Sequence, residues 1–205
     1  MNDFRLIETM RVSGSGEVYL LDRHLERLSK SAQHFSFKFD LENLRAQILE
    51  AIPHQRTPAC LRLTLAEDGA VKVEAGPIPT GYAQRLTLSS ARVNSNDVFL
   101  YHKTTNRTVF DQARRGCDEN TDVILINERD EITETTIMNL AVFRQGKWIT
   151  PQVSCGLLPG VMRAELLARE EIVEGVIPVR ELQDGERIRC FNALRGIFDV
   201  VLRKF

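Results

Sequence analysis

The run Gly76-Pro77-Ile78-Pro79-Thr80-Gly81 constrains this chain more than any other segment. Prolines remove backbone donors and fix φ, while glycines offer no side chain to pack, so neither a helix nor an interior strand is expected to pass through it. The 205 residues therefore divide into a small lobe, 1–80, and a larger one, 81–205. A chain of this size can build one large core or two small ones.

Before the break, residues 4–12 read as a strand, Ser13-Gly14-Ser15-Gly16 as a turn and 17–21 as a returning strand. Asp22 has the chemistry of a helix N-cap. Leu25, Leu28, Ala32 and Phe35 recur at helical spacing and predict a helix to about Phe37. A second helix follows Asp40, with Leu41, Leu44, Ile48 and Leu49 on one face. Leu61, Leu63 and Leu65 alternate with Arg62 and Thr64, as in a strand, and Asp68-Gly69 turns the chain back into Val71 and Val73. After the break, strands are expected at 86–93, 123–126, 140–143, 147–150, 189–193 and 198–202. Helices are expected at 109–115, ending at Gly116, and at 160–169, with Pro159 near its first position. Hairpins with inserted helices, rather than regular βαβ alternation, indicate an α+β fold.

Composition excludes several classes. Net charge is −1, which gives no electrostatic case for nucleic acid or an anionic membrane. No apolar run approaches the roughly 18 residues of a membrane span, and the first residues, MNDFRLIETMR, are charged where a signal peptide is apolar. A cytoplasmic protein is expected. The four cysteines and four histidines show no metal-ligand spacing, so reduced thiols and no metal are expected. The glycine motifs of nucleotide-binding loops and the serine elbow of hydrolases are absent.

Four segments hold residues suited to chemistry. Lys103 lies in Tyr101-His102-Lys103-Thr104-Thr105-Asn106-Arg107. A partly desolvated lysine is an amine nucleophile or base, although a lysine after an apolar strand ordinarily faces solvent. Glu134 precedes Thr135 and Thr136 in Ile132-Thr133-Glu134-Thr135-Thr136-Ile137-Met138-Asn139. A carboxylate and two hydroxyls there could hold a cationic ring nitrogen and phosphate oxygens; a strand with exposed Glu and Thr is the plainer expectation. Gly156-Leu157-Leu158-Pro159-Gly160-Val161-Met162-Arg163 opens a helix through glycines, where free N–H groups can receive a phosphate. Arg27 sits beside the buried stripe of the first helix, within reach of a phosphate or snorkelling to water.

Taken in order, these segments resemble the class IV, fold-type IV pyridoxal phosphate enzymes, a family of branched-chain and D-amino-acid aminotransferases and of aminodeoxychorismate lyase. The resemblance spans about residue 4 to the C-terminus. It rests on Glu8-Thr9-Met10-Arg11, His24-Leu25-Glu26-Arg27-Leu28, His102 to Arg107, a strand holding Thr133-Glu134 and Asn139-Leu140, Leu158 to Arg163, and Asn192-Ala193-Leu194. It implies a two-lobe D-amino-acid aminotransferase-like fold, with a small N-terminal lobe and a larger C-terminal pseudo-barrel lobe. It implies pyridoxal 5'-phosphate as cofactor, with Lys103 carrying it and moving the proton, Glu134 facing the pyridine nitrogen, and Arg27, Val161 and Met162 at the phosphate. Thr135 and Thr136 are expected to add polar contacts, and Thr9, Arg107 and Asn192 to face a small-molecule amine substrate.

Lys-x-x-Asn-Arg, Gly-Val-Met-Arg and Phe-Asn-Ala-Leu resemble the lyase subgroup most. That resemblance implies cleavage of 4-amino-4-deoxychorismate to 4-aminobenzoate and pyruvate, in folate precursor synthesis, by a homodimer that works beside aminodeoxychorismate synthase. Two alternatives stand beside it: an aminotransferase for a branched-chain or D-amino acid, and a catalytically inactive binding or regulatory protein. Two departures mark the chain. Relatives usually carry a further hairpin ahead of the Glu8 strand, and Met162 stands where aminotransferases often place a hydroxyl, which disfavours a branched-chain aminotransferase.

Overall fold

A computed structural model describes residues 4–54, 57–81 and 83–204. The chain divides into two compact units, one of Met1–Thr80 with His102–Asn106 and Ala193–Arg195, the other of Gly81–Tyr101, Arg107–Asn192 and Gly196–Phe205.

The first unit is a three-stranded antiparallel sheet with two helices. Its elements are β1 (Leu6–Val12), α1 (Leu21–Phe35), α2 (Leu41–Glu50), β2 (Ala59–Leu65) and β3 (Val71–Pro77), with sheet order β1-β2-β3. Leu61, Leu63 and Leu65 are fully buried, while Arg62 between them is exposed, as strand alternation requires. Helix α1 buries Leu25, Leu28 and Ala32. The returning strand expected at 17–21 does not form: a single bridge joins Val12 to Val18, and Leu20 then adopts φ 55, which turns the chain directly into α1. Leu20 therefore occupies the N-cap position expected of Asp22, whose carboxylate lies in the first turn and accepts from Arg45 Nη2 at 2.5 Å. At its other end α1 stops at Phe35, short of Phe37, because Ser36 takes φ 58 and the Phe37 N–H returns to the Ala32 carbonyl. Asp40 does cap α2, accepting from the N–H groups of Glu42 and Asn43 at 3.0 and 3.2 Å. Strand β3 runs into the Gly-Pro segment as far as Pro77, since β3 is an edge strand and its last residue can lack a ladder donor.

Residues 102–106 join this unit against β1. Ile7 N–H donates to the Lys103 carbonyl at 2.9 Å, Thr105 N–H to the Arg5 carbonyl at 2.9 Å, and Arg5 N–H to Thr105 Oγ1 at 2.8 Å.

The second unit is built on an eight-stranded mixed sheet. Its strands are β4 (Arg85–Val93), β5 (Thr121–Asn127), β6 (Ile132–Thr135), β7 (Asn139–Arg144), β8 (Lys147–Pro151), β9 (Val173–Gly175), β10 (Arg187–Asn192) and β11 (Gly196–Leu202). They run in the order β6-β5-β4-β11-β10-β7-β8-β9, with β4 parallel to both β5 and β11. Two helices, α3 (Thr108–Ala113) and α4 (Val161–Ala168), accompany it. Leu86, Ile124, Leu140, Val142, Ile188, Cys190, Val200 and Leu202 form the core. β6 begins the sheet order and β7 lies far along it, yet only residues 136–138 separate them. The sheet must therefore curl until its ends approach, which makes the larger unit a half-barrel and the fold α+β.

The expected strand through Glu134 and Leu140 is thus two strands. Thr135 Oγ1 accepts from the N–H of Met138 at 3.1 Å and closes the turn between them, a local hydroxyl-to-backbone bond that competes with continued pairing. β9 has no counterpart in the sequence pattern, being three residues long. No helix among the described residues is long and apolar enough to cross a membrane.

The capping geometry separates two aspartates that look alike in sequence. Asp40→Ala should lower unfolding free energy by about 1 kcal/mol, and Asp22→Ala by no more than about half of that. Urea melts of the two variants measure the difference.

Candidate active site

In the first unit, Glu8 is the centre of a buried ionic group. Even-numbered positions of β1 form its inward face, and Glu8 shares that face with Leu6, Met10 and Val12. A charge there must be paired. Arg27 Nε donates to Glu8 Oε1 at 2.9 Å and Nη2 to Oε2 at 2.6 Å, a two-point grip. His24, one helical turn away from Leu28 on the core stripe of α1, sets Nδ1 2.6 Å from Glu8 Oε2. Burial opposes the charge on Glu8, but Arg27 and His24 together outweigh it and hold the carboxyl at about 2. Burial pushes His24 below its ordinary value against the pull of Glu8, and the positive charges of Arg27 and Lys103 push the same way. A neutral His24 facing an acceptor must donate from Nδ1. Its Nε2 is then an acceptor, buried and without a hydrogen-bond partner among the described residues.

Lys103 lies in this unit, half-buried, its carbonyl tied to β1. His102 beside it packs on the end of α1, with Nδ1 2.9 Å from Ser31 Oγ and its ring stacked on His34 at 4.5 Å. Burial and the neighbouring His34 hold His102 down at about 4. Thr9 is half-buried on β1, next to Glu8.

In the second unit, Glu134 is 4% exposed on β6, and Thr133, Thr135 and Thr136 are buried with it. The expectation of an exposed strand fails here, since all four residues of β6 are buried. Glu134 Oε1 accepts from the Leu158 N–H at 2.9 Å and Oε2 from Asn139 Nδ2 at 3.2 Å. Thr136 Oγ1 donates to the buried Asp122 at 2.5 Å. The hydroxyls of Thr135 and Thr136 are thus both engaged within the protein. Arg107 Nη2 donates to the Thr136 carbonyl at 2.5 Å, and Asn192 Nδ2 to the Ile137 carbonyl at 3.3 Å, so both residues grip the β6–β7 turn. Val161 and Met162 begin α4, buried, where the first-turn N–H groups have no intrahelical acceptor. Gly160 is the N-cap of α4, which puts Pro159 just outside the helix.

Expected residues thus fall into two groups. Lys103, Arg27 and Thr9 belong to one unit; Glu134, Thr135, Thr136, Arg107, Val161, Met162 and Asn192 belong to the other. Roles for Glu8, His24 and Asn139 were not foreseen. The signal for Glu8 and His24 was present: each is a polar residue at a position whose periodicity is apolar.

Comparison with known proteins supplies the lineage. The family description "Amino-transferase class IV" matches residues 5–202. The chain belongs to the class IV aminotransferase family. A protein of Schizosaccharomyces pombe with the provisional name of aminodeoxychorismate lyase is 33% identical over 98% of this chain and 91% of its own length. A Mesorhizobium loti crystal structure, provisionally named an amino-acid aminotransferase, matches with TM-score 0.89 and 36% identity, covering 98% of this chain and all of that one. The 4-amino-4-deoxychorismate lyase of Pseudomonas aeruginosa matches with TM-score 0.81 at 23% identity, covering 97% of this chain and 83% of that one, a likeness of fold alone. The family is one of enzymes, and its chemistry is that of pyridoxal phosphate.

The Glu8 group makes a pH prediction. Its carboxyl is depressed from the ordinary 4.5 to about 2 on folding. It therefore stabilises the fold above pH 4.5, and that contribution disappears as pH falls through about 2. The stability difference between wild type and Glu8→Gln should be constant from pH 7 to 5 and shrink between pH 4.5 and 2. Denaturant melts across that range measure it.

Proposed function

We propose that this protein is a pyridoxal-phosphate-dependent lyase that converts 4-amino-4-deoxychorismate to 4-aminobenzoate and pyruvate. The observation that carries the reading is the Glu134 carboxylate, buried and held at both oxygens by the Leu158 N–H and the Asn139 amide. Those donors fix the direction in which its oxygens point, which suits it to accept from a protonated ring nitrogen. The remaining donors fit the same cofactor. Arg27 uses Nε and Nη2 on Glu8, and a guanidinium has further N–H groups on Nη1 for a phosphate. The backbone N–H groups of Val161 and Met162 add donors suited to the phosphate.

Pyridoxal phosphate, when bound, withdraws electrons from the carbon that bears the substrate amine. Lys103 holds the cofactor and removes the proton from that ring carbon. Glu134 keeps the pyridine nitrogen protonated, with Thr135 and Thr136 as supporting polar groups. Arg107, Asn192 and Thr9 orient the substrate. Loss of the enolpyruvyl group as pyruvate makes the ring aromatic, which drives the reaction forward. The full-length similarity to the fission yeast relative supports the lyase. The reading carries with it a cytoplasmic homodimer serving folate precursor synthesis, supplied by aminodeoxychorismate synthase.

The similarity to the Mesorhizobium loti aminotransferase favours a second reading, transfer of the amine to a 2-oxo acid. Product analysis separates the two. With 4-amino-4-deoxychorismate and pyridoxal phosphate, the lyase releases pyruvate and 4-aminobenzoate in equal amounts without an amino acceptor. Lys103→Ala should lose at least about 10²-fold in rate. Turnover that requires a 2-oxo acid acceptor and yields an amino acid would establish the aminotransferase instead.

A further inference from the structure

Asn139 begins β7, only 6% exposed, and its side-chain amide touches two acceptors. Nδ2 donates to Glu134 Oε2 at 3.2 Å and to the Leu158 carbonyl at 2.9 Å. The amide orientation is fixed by chemistry, since turning it over would set Oδ1 against a carboxylate and a carbonyl. Leu158 closes the ring: its N–H holds Glu134 Oε1 at 2.9 Å while its carbonyl holds Asn139. The carboxylate is therefore gripped at each oxygen from a different strand or loop, and rotation about its last bond is blocked.

Gly160 completes the arrangement. Its φ of −66 and ψ of 147 are open to any residue, so the backbone does not require glycine. Space does: a Cβ at this position would overlap Asn139 Oδ1.

We propose that Asn139 is the positioning residue of the Glu134 carboxylate, and that residue 160 is glycine to leave the Asn139 amide in place. The catalytic meaning rests on the proposed role of Glu134 at the cofactor nitrogen. The geometric claim stands apart from it.

The test begins on the cofactor-free protein. Carbon-13 NMR of labelled glutamate carboxyls, with Glu134 identified by its absence in Glu134→Gln, is followed against pH. Asn139→Leu removes a donor to the charged form and should raise the proton affinity of Glu134 about tenfold. Gly160→Ala should shift it in the same direction, and the double variant should go no further than Asn139→Leu alone. Asn139→Asp, close to isosteric, replaces the donor with an acceptor and should raise proton affinity further; it decides the matter if Asn139→Leu fails to fold. A wild-type titration in folded Asn139→Leu or Asn139→Asp overturns the positioning role. An additive double variant overturns the link to Gly160.

A second readout uses pyridoxal phosphate. Asn139→Leu should bind it about tenfold more weakly by spectral titration and shift the pH dependence of its visible band, with the far-UV spectrum unchanged. A wild type that binds no pyridoxal phosphate would refute the proposed function while leaving the carboxyl titration as a full test of Asn139. Normal binding together with an unshifted titration would refute the inference and leave the function intact.

Discussion

Two carboxylates removed from water organise this protein. Ionised carboxylates are tolerated in an interior only when their charge or their lone pairs are met by the surrounding chain. The two are met in different ways. Glu8 faces Arg27 and His24, so its charge is balanced inside the first unit and the group ties β1 to α1. Glu134 accepts from a peptide N–H and a side-chain amide, contacts that orient its two oxygens.

The second unit shows how topology produces that acceptor. A curled sheet brings β6 and β7 together although they are far apart in strand order, and the turn at 136–138 is held by Thr135 from within and by Arg107 and Asn192 from outside. Arg107 and Asn192, which hold this turn, are also two of the residues proposed to face substrate. A rigid β6–β7 turn and an oriented substrate side are therefore compatible demands on one set of polar groups.

Much of the fold was legible because it is written in local periodicity. The alternation of Leu61, Leu63 and Leu65, the helical spacing of Leu25, Leu28 and Ala32, and the Asp40 cap all depend on near neighbours. The differences have both local and long-range causes. Residues 17–21 have strand-like composition but only one bridge, and Leu20 adopts a left-handed conformation that no propensity announces. The burial of Glu134 and its threonines depends on strands distant in sequence. The order of motifs points to the family, whereas Glu8 meets Arg27 and His24 from 16 or more residues away, and Glu134 meets Leu158 from 24 away, pairings that no short window of sequence contains.

The central claim is that Lys103 is the lysine that carries pyridoxal phosphate. The most direct measurement is borohydride reduction of the protein with pyridoxal phosphate, followed by proteolysis and mass mapping of the labelled peptide. The account predicts a single phosphopyridoxyl modification on Lys103, formed before substrate is added. Labelling spread over surface lysines, with Lys103 unmodified, would contradict it.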